Sequence, residues 1–245
     1  MTKTDAMRRP LLLDVLAALR RARKALTPEA RHLVMRFLRT QQSGHAYINA
    51  GGKADAYYTQ FGVLCSVMLG EWQPWKVLYL LRHHGRMQLD NRHSVSRSEP
   101  SMYDRFFASL TRGTRQDLQS YRTPEGAYAN ESQRMVPNTN ATCCALCLMR
   151  QEGMTDRKAV EWLKGMQQPN GGFTAQQEAP VPDLLSTAVA LFTLRLLGEK
   201  PQYPAADLVD AHWMADGGFM PTLMDEYSDS EYVFYGLLAI GSLND

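Results

Sequence analysis

The chain has 245 residues, 44% hydrophobic and 21% charged, with a formal net charge of +2; these are globular proportions, and so small a charge excludes a broad nucleic-acid surface. No uninterrupted apolar run reaches the roughly 18 residues of a membrane-spanning helix, so no integral membrane span is expected. Arg8 and Arg9 precede Leu11-Leu12-Leu13, but Asp14 ends that apolar stretch at once, which does not fit a signal peptide and leaves a cytoplasmic location as the expectation.

From the N-terminus, Pro10 to Leu26 reads as an amphipathic helix opened by a proline in its favoured first turn. Its arginines should face water while its apolar side covers one end of the molecule, or adds a partial repeat. Arg31 to Gln42 reads as a second helix, followed by the turn Gly44-His45-Ala46-Tyr47 and then by a segment that opens at Asp55 and ends at Gly70. Residues 71–117 contain helical stretches at Trp75–Arg82 and Tyr103–Leu110, separated by the polar stretch Asp90–Pro100, which reads as a long loop. From residue 118 onward the pattern is regular. Gly126-Ala127-Tyr128 precedes a segment opening at Asn138 and ending at Gly153, Gly171-Gly172-Phe173 precedes one from Asp183 to Gly198, and Gly217-Gly218-Phe219 precedes one opening at Asp229.

These segments are copies of one unit. Each opens with Asp or Asn, which can cap a helix by accepting a bond from an unpaired backbone N–H. Each has Ala or Gly seven residues later (Gly62, Ala145, Ala190, Gly236), a small residue expected to let neighbouring helices approach closely. Three close on a glycine, which permits a left-handed helix stop. The openings at Asn138, Asp183 and Asp229 are 45 and 46 residues apart, and Asp55 precedes Asn138 by 83, about two units. A degenerate unit is therefore expected within 71–117, and the chain reads as a single domain over 1–245 built of about five to six helical hairpins, with residues 1–27 as an N-terminal helix.

Of the four cysteines, Cys143, Cys144 and Cys147 lie on one helix and Cys65 on another. Three clustered thiols fit buried, reduced side chains better than a disulfide framework, and no second Cys or His pair is spaced to complete a zinc site.

The string Trp162-Leu-Lys-Gly-Met-Gln-Gln-Pro-Asn-Gly-Gly-Phe173, followed by the helix from Asp183, resembles the prenyltransferase/squalene-cyclase repeat, and the protein prenyltransferase β-subunits in particular. The resemblance covers 118–243 and 31–70 and fades over 71–117. It implies an all-α fold, an α/α toroid with inner helices around a central cavity. It also places that family's zinc ligands on Asp183, Leu185 and Tyr232. Leu has no donor atom and Tyr is a poor zinc ligand, so two of the three positions fail. The segment between Gly172 and Asp183, where the family holds diphosphate with basic residues, contains no Lys or Arg. The acidic Asp-x-Asp-Asp string of the cyclases is also missing. No metal and no cofactor are therefore expected.

The expected site is the rim where the inner-helix starts converge. Asp183, Asp229 and Glu231 are the candidate acid–base residues; Asp55, Tyr57, Tyr58, Asn138, Asn140, Tyr232 and His45 are the candidate binding residues. Close carboxylates raise one another's pKa while helix N-termini lower it, so sequence leaves their protonation open. Capping alone accounts for Asp55, Asn138, Asp183 and Asp229 without any function. Three functions remain open. The first is a cavity holding an apolar or isoprenoid-like small molecule, with or without zinc-independent transferase or cyclase chemistry. The second is a non-catalytic subunit whose N-terminal helix and 71–117 segment meet a protein partner. The third is zinc-dependent transfer with Cys144 or His45 replacing the lost ligands.

Overall fold

A computed structural model describes residues 10–83, 99–112 and 117–245. His84 and most of the expected loop at Asp90–Pro100 lie outside them. The chain begins with α1 (Leu11–Ala25) and α2 (Pro28–Thr40), the latter capped by Thr27, whose hydroxyl accepts from the Ala30 N–H. A small antiparallel sheet of β1 (Gln42–Ser43), β2 (Ala46–Ile48) and β3 (Ala54–Asp55) leads into α3 (Ala56–Leu69). Then come α4 (Pro74–His83), α5 (Met102–Arg112), a 3-10 turn at Gln119–Tyr121 and the hairpin β4 (Ala129–Glu131) and β5 (Arg134–Pro137). The last five helices are α6 (Thr139–Gln151), α7 (Arg157–Gly165), α8 (Leu184–Leu197), α9 (Ala206–Ala211) and α10 (Ser230–Leu243).

Two kinds of helix follow from two kinds of sequence. α3, α8 and α10 are apolar on nearly all sides and buried over most of their lengths, as a helix enclosed by neighbours must be. α2 and α7 bury only one stripe, Val34, Phe37 and Leu38 in the first and Ala159, Val160 and Leu163 in the second. Helices α3, α8 and α10 form an inner ring together with α6 and the more amphipathic α5, and the second kind lies outside it. The expected caps are in place: Asp55, Asn138, Asp183 and Asp229 each accept backbone N–H bonds from the first turn that follows. The glycine stops are too, with φ of +112° at Gly70 and +71° at Gly198. The degenerate unit supplies α5, opened by a reciprocal cap: the Ser101 N–H donates to Asp104 Oδ2 and the Asp104 N–H to Ser101 Oγ.

Within a unit, the buried aromatic of the glycine turn stitches outer to inner layer. The backbone N–H of Tyr47, Tyr128 and Phe173 donates to Thr59, Thr142 and Thr187, each four residues past its cap, and that of Phe219 donates to Ser228. The small residue of the inner helix has a different purpose from the one expected. A Cβ on Gly62 would meet the ring of Tyr47 at 2.2 Å, and one on Gly236 the ring of Phe219 at 2.5 Å. In these two units the space is taken by the unit's own aromatic and not by a neighbouring helix.

Between units, the glycines of the last three turns pack on the next outer helix or the residues just before it. Gly126 abuts Lys158 of α7 and Gly171 abuts Pro204 and Ala205 before α9, while Gly217 of the last unit abuts Leu33 of α2 in the first. The inner ring closes as well. Ser230 Oγ donates to the Tyr58 carbonyl at 2.9 Å, and the rings of Phe61 and Phe234 lie 5.0 Å apart. α1 is not a sixth unit. It lies across the C-terminal ends of the inner helices, with Leu11, Val15, Ala18, Leu19 and Ala22 buried. Asp14 pairs with Arg150 of α6 at 3.2 Å, Arg21 Nε donates to the Gly241 carbonyl of α10 at 2.7 Å, and Arg23 lies against Gly70 at the end of α3. Its basic residues thus meet the negative ends of helix dipoles. Among the described residues no helix is long and apolar enough to cross a membrane.

Candidate functional site

The ring encloses a cavity of about 180 Å³. Its walls follow one register. Two, six and nine residues past the cap, a helix with 3.6 residues per turn presents the same face. Those positions line the cavity in α3 (Tyr57, Phe61, Leu64), α6 (Asn140, Cys144, Cys147) and α8 (Leu185, Val189, Phe192). α10 contributes Tyr235 and Leu238 at the same offsets, α5 contributes Tyr103 and Phe107, and Leu12 and Val15 of α1 form the floor. The wall is apolar and rich in aromatic rings. Sequence reasoning missed Tyr103, Phe106, Phe107 and Tyr235. The Ser-x-x-Asp box at Ser101 and the offset from each cap were the signals that could have found them.

The cap-plus-two positions make the uppermost layer: Tyr57, Tyr103, Asn140, Leu185 and, in α10, Glu231. Tyr57 hydroxyl donates to Glu231 Oε1 at 2.6 Å across the seam where α10 meets α3. Tyr103 hydroxyl donates to Asn138 Oδ1 at 3.2 Å and is itself bonded by the Asn140 side chain. Asn140 Oδ1 is buried and has no hydrogen-bond partner. Burial drives the Tyr57, Tyr103 and Tyr235 hydroxyls upward, so all three are neutral donors.

Above this layer the carboxylates and tyrosines crowd together. Tyr232 feels Glu231, Asp229 and Asp183, and Tyr58, pushed up to about 12 mainly by burial, feels Asp229 and Glu231. Tyr227 packs edge-on against Tyr232 at 6.3 Å. The protonation question left open by sequence has a direction here: burial raises Asp183 and Asp229 despite the capping N–H groups that lower them. Near Asp183, His212 is fully buried, its Nδ1 facing the Met220 carbonyl at 2.7 Å, and burial lowers its pKa.

Two expected binding residues are elsewhere. Asp55 and His45 line a separate groove with Thr59, Gln60, Tyr79 and His83, and His45 stacks on Trp75 at 5.1 Å. His45 and Cys144 therefore do not face one another, and burial holds the Cys144 thiol well above its usual range. Leu185 puts a hydrocarbon wall where the family's zinc thiolate stands, and among the described residues no three His, Cys, Asp or Glu side chains are grouped to hold a metal. The donor set does not fit zinc.

An inner ring of capped helices around an apolar cavity, and an outer ring stitched to it by Gly-aromatic turns, define an α/α toroid. Residues 89–244 match the family model of the prenyltransferase alpha-alpha toroid domain, and the chain belongs to that family. No curated protein matches the chain. Among solved structures, a variant of the type II terpene cyclase MstE from Scytonema, in complex with merosterolic acid A as product, is similar over 94% of this chain and 86% of that one, with 13% identity and a TM-score of 0.40.

Proposed function

We propose that the chain binds an apolar, isoprenoid-like small molecule in the central cavity, with Asp183, Asp229 and Glu231 at its mouth as the acid–base groups of a zinc-independent transferase or cyclase reaction. The observation that carries this reading is the cavity itself: about 180 Å³ of mainly aromatic- and aliphatic-walled space, with Tyr57, Tyr103 and Asn140 in its uppermost layer. An engineered apolar cavity of about 150 Å³ stays dry and takes up benzene, so a space of this kind favours an organic guest over water. Apolar walls with a few convergent polar groups are the usual make-up of a small-molecule site. Raised carboxyl pKa values at Asp183 and Asp229 suit general-acid work.

Calorimetric titration with geraniol tests the binding. Wild-type protein should bind it, and Val189→Trp, which fills the cavity from α8, should weaken binding at least tenfold while the protein stays folded. Absence of binding to wild type, or unchanged binding to the variant, defeats the reading.

A protein partner over the mouth is the second reading. The apolar face of α1 is covered by the inner helices, which leaves its exposed side, with Leu13, Arg20 and Lys24, for a protein contact. The loops that lead into α6 and α10, however, expose Met135, Val136, Leu223, Met224 and Tyr227 on the mouth side. A Leu223→Ser, Met224→Ser double variant should lose a stoichiometric partner while keeping geraniol affinity. Retention of the partner by that variant counts against this interface.

A further inference from the structure

Resting on the cavity reading, we infer that α1 limits the guest to two isoprene units, with Leu12 and Val15 as the residues that set its length. The cavity wall in an inner helix runs from the position two past the cap to the position nine past it, as from Tyr57 to Leu64 and from Leu185 to Phe192. Seven residues at about 1.5 Å each give a depth of about 10 Å. An extended chain advances about 1.2 Å per bond, so about eight bonds fill that depth. That is the main chain of geraniol; farnesol is one isoprene unit longer.

The lower end is closed by α1. Leu12 and Val15, three residues apart on one face of the helix, both line the cavity, whereas Leu13, Arg20 and Lys24 on its outer side are exposed. The floor is therefore one helix thick. It is also held at a fixed height. Asp14 pairs with Arg150 of α6, Arg21 bonds to the Gly241 carbonyl of α10, and the Ala18 backbone sits where Gly241 has no side chain. No Gly-aromatic turn precedes α1 and no side chain caps it, so the floor comes from outside the repeat. Leu12→Ala and Val15→Ala together remove as many carbons as one isoprene unit holds. A site truncated in this way collapses only in part, and the space left extends the hollow downward.

Geraniol affinity is measured by calorimetric titration and farnesol affinity by competition against geraniol. Wild type should bind geraniol at least tenfold more tightly than farnesol. The Leu12→Ala, Val15→Ala double variant should bind farnesol at least tenfold more tightly than wild type does, with geraniol changed less. Leu12→Ala alone should move part of the way and carries the test if the double variant does not fold, as thermal melts will show. Leu19→Ala makes the same truncation on the buried face of α1 outside the cavity wall. It loosens the helix without deepening the hollow, so the preference for geraniol should stay as in wild type. Equal binding of both alcohols by wild type overturns the inference. So does a wild-type preference in the folded Leu12 variants, or a Leu19→Ala shift as large as that of Leu12→Ala. In each case geraniol binding leaves the cavity reading standing. Failure of wild type to bind either alcohol overturns both.

Discussion

Lys76 has no exposed side-chain surface, and its Nζ lies 2.5 Å from Glu71 Oε2, near the faces of Tyr47 and Trp75. A buried ion pair contributes little net stability, yet removing one partner strands the other. Lys76→Ala should therefore cost about 3–5 kcal/mol in urea unfolding, and Lys76→Met combined with Glu71→Gln should recover most of it. The two kinds of carboxylate also set opposite pH dependences. Lys76 and Arg39 hold Glu71 below its ordinary value despite burial. Its contribution is present above about pH 4.3 and is lost as pH falls through the depressed folded value. Asp183 and Asp229 are raised, so the folded state holds their protons longer than the unfolded state does. Stability should fall as pH rises from about 3.9 through the raised folded values. In melting temperatures taken from pH 3 to 7, Asp183→Asn with Asp229→Asn should flatten that decline. An unchanged slope would mean that burial does not govern these two groups.

The elements were legible to the degree that one helix could announce itself. Asp55, Asn138, Asp183 and Asp229 gave the starts of four inner helices because a capping side chain bonds only to its own next turn, and no distant contact is needed. Counting two, six and nine residues on from each would also have given the cavity wall. The helix of α5 was legible at Tyr103–Leu110, but its place in the inner ring was not, because its start is a Ser-Asp box and no Gly-aromatic turn precedes it. The site was legible only in part: Tyr57 and Asn140 line the cavity, whereas Asp55 and His45 turn to a separate groove, a difference set by side-chain direction and not by spacing. The destination of α1 was open between covering helix and partial unit, since amphipathicity shows that a face is covered but not by what. Its seat is fixed by Gly241, where a Cβ would lie 1.9 Å from the Ala18 carbonyl oxygen. Overpacking typically costs about 1–3 kcal/mol, and a backbone obstacle cannot rotate aside. Gly241→Ala should displace α1, and hydrogen exchange should show lost protection in Leu11–Ala25 with α8 still protected.

At the scale of the molecule, closure decides how the protein unfolds. An open solenoid can fray from its ends, because each repeat touches only its neighbours. Here Gly217 of the last unit rests on Leu33 of the first, and Ser230 reaches Tyr58, so there is no end from which to fray. Far-UV circular dichroism and tryptophan fluorescence should report one coincident urea transition. Gly217→Ala should move both signals together, and separated transitions would show that the seam is not a stabilising contact. Closure also has a consequence for synthesis. The hollow is bounded by Leu12 near the start of the chain and Leu238 near its end. A ribosome that has released three-quarters of the polypeptide has made several greasy rods and no binding site. Until α10 emerges, those rods have nothing of their own to enclose, and this is the interval in which a chaperone would find them.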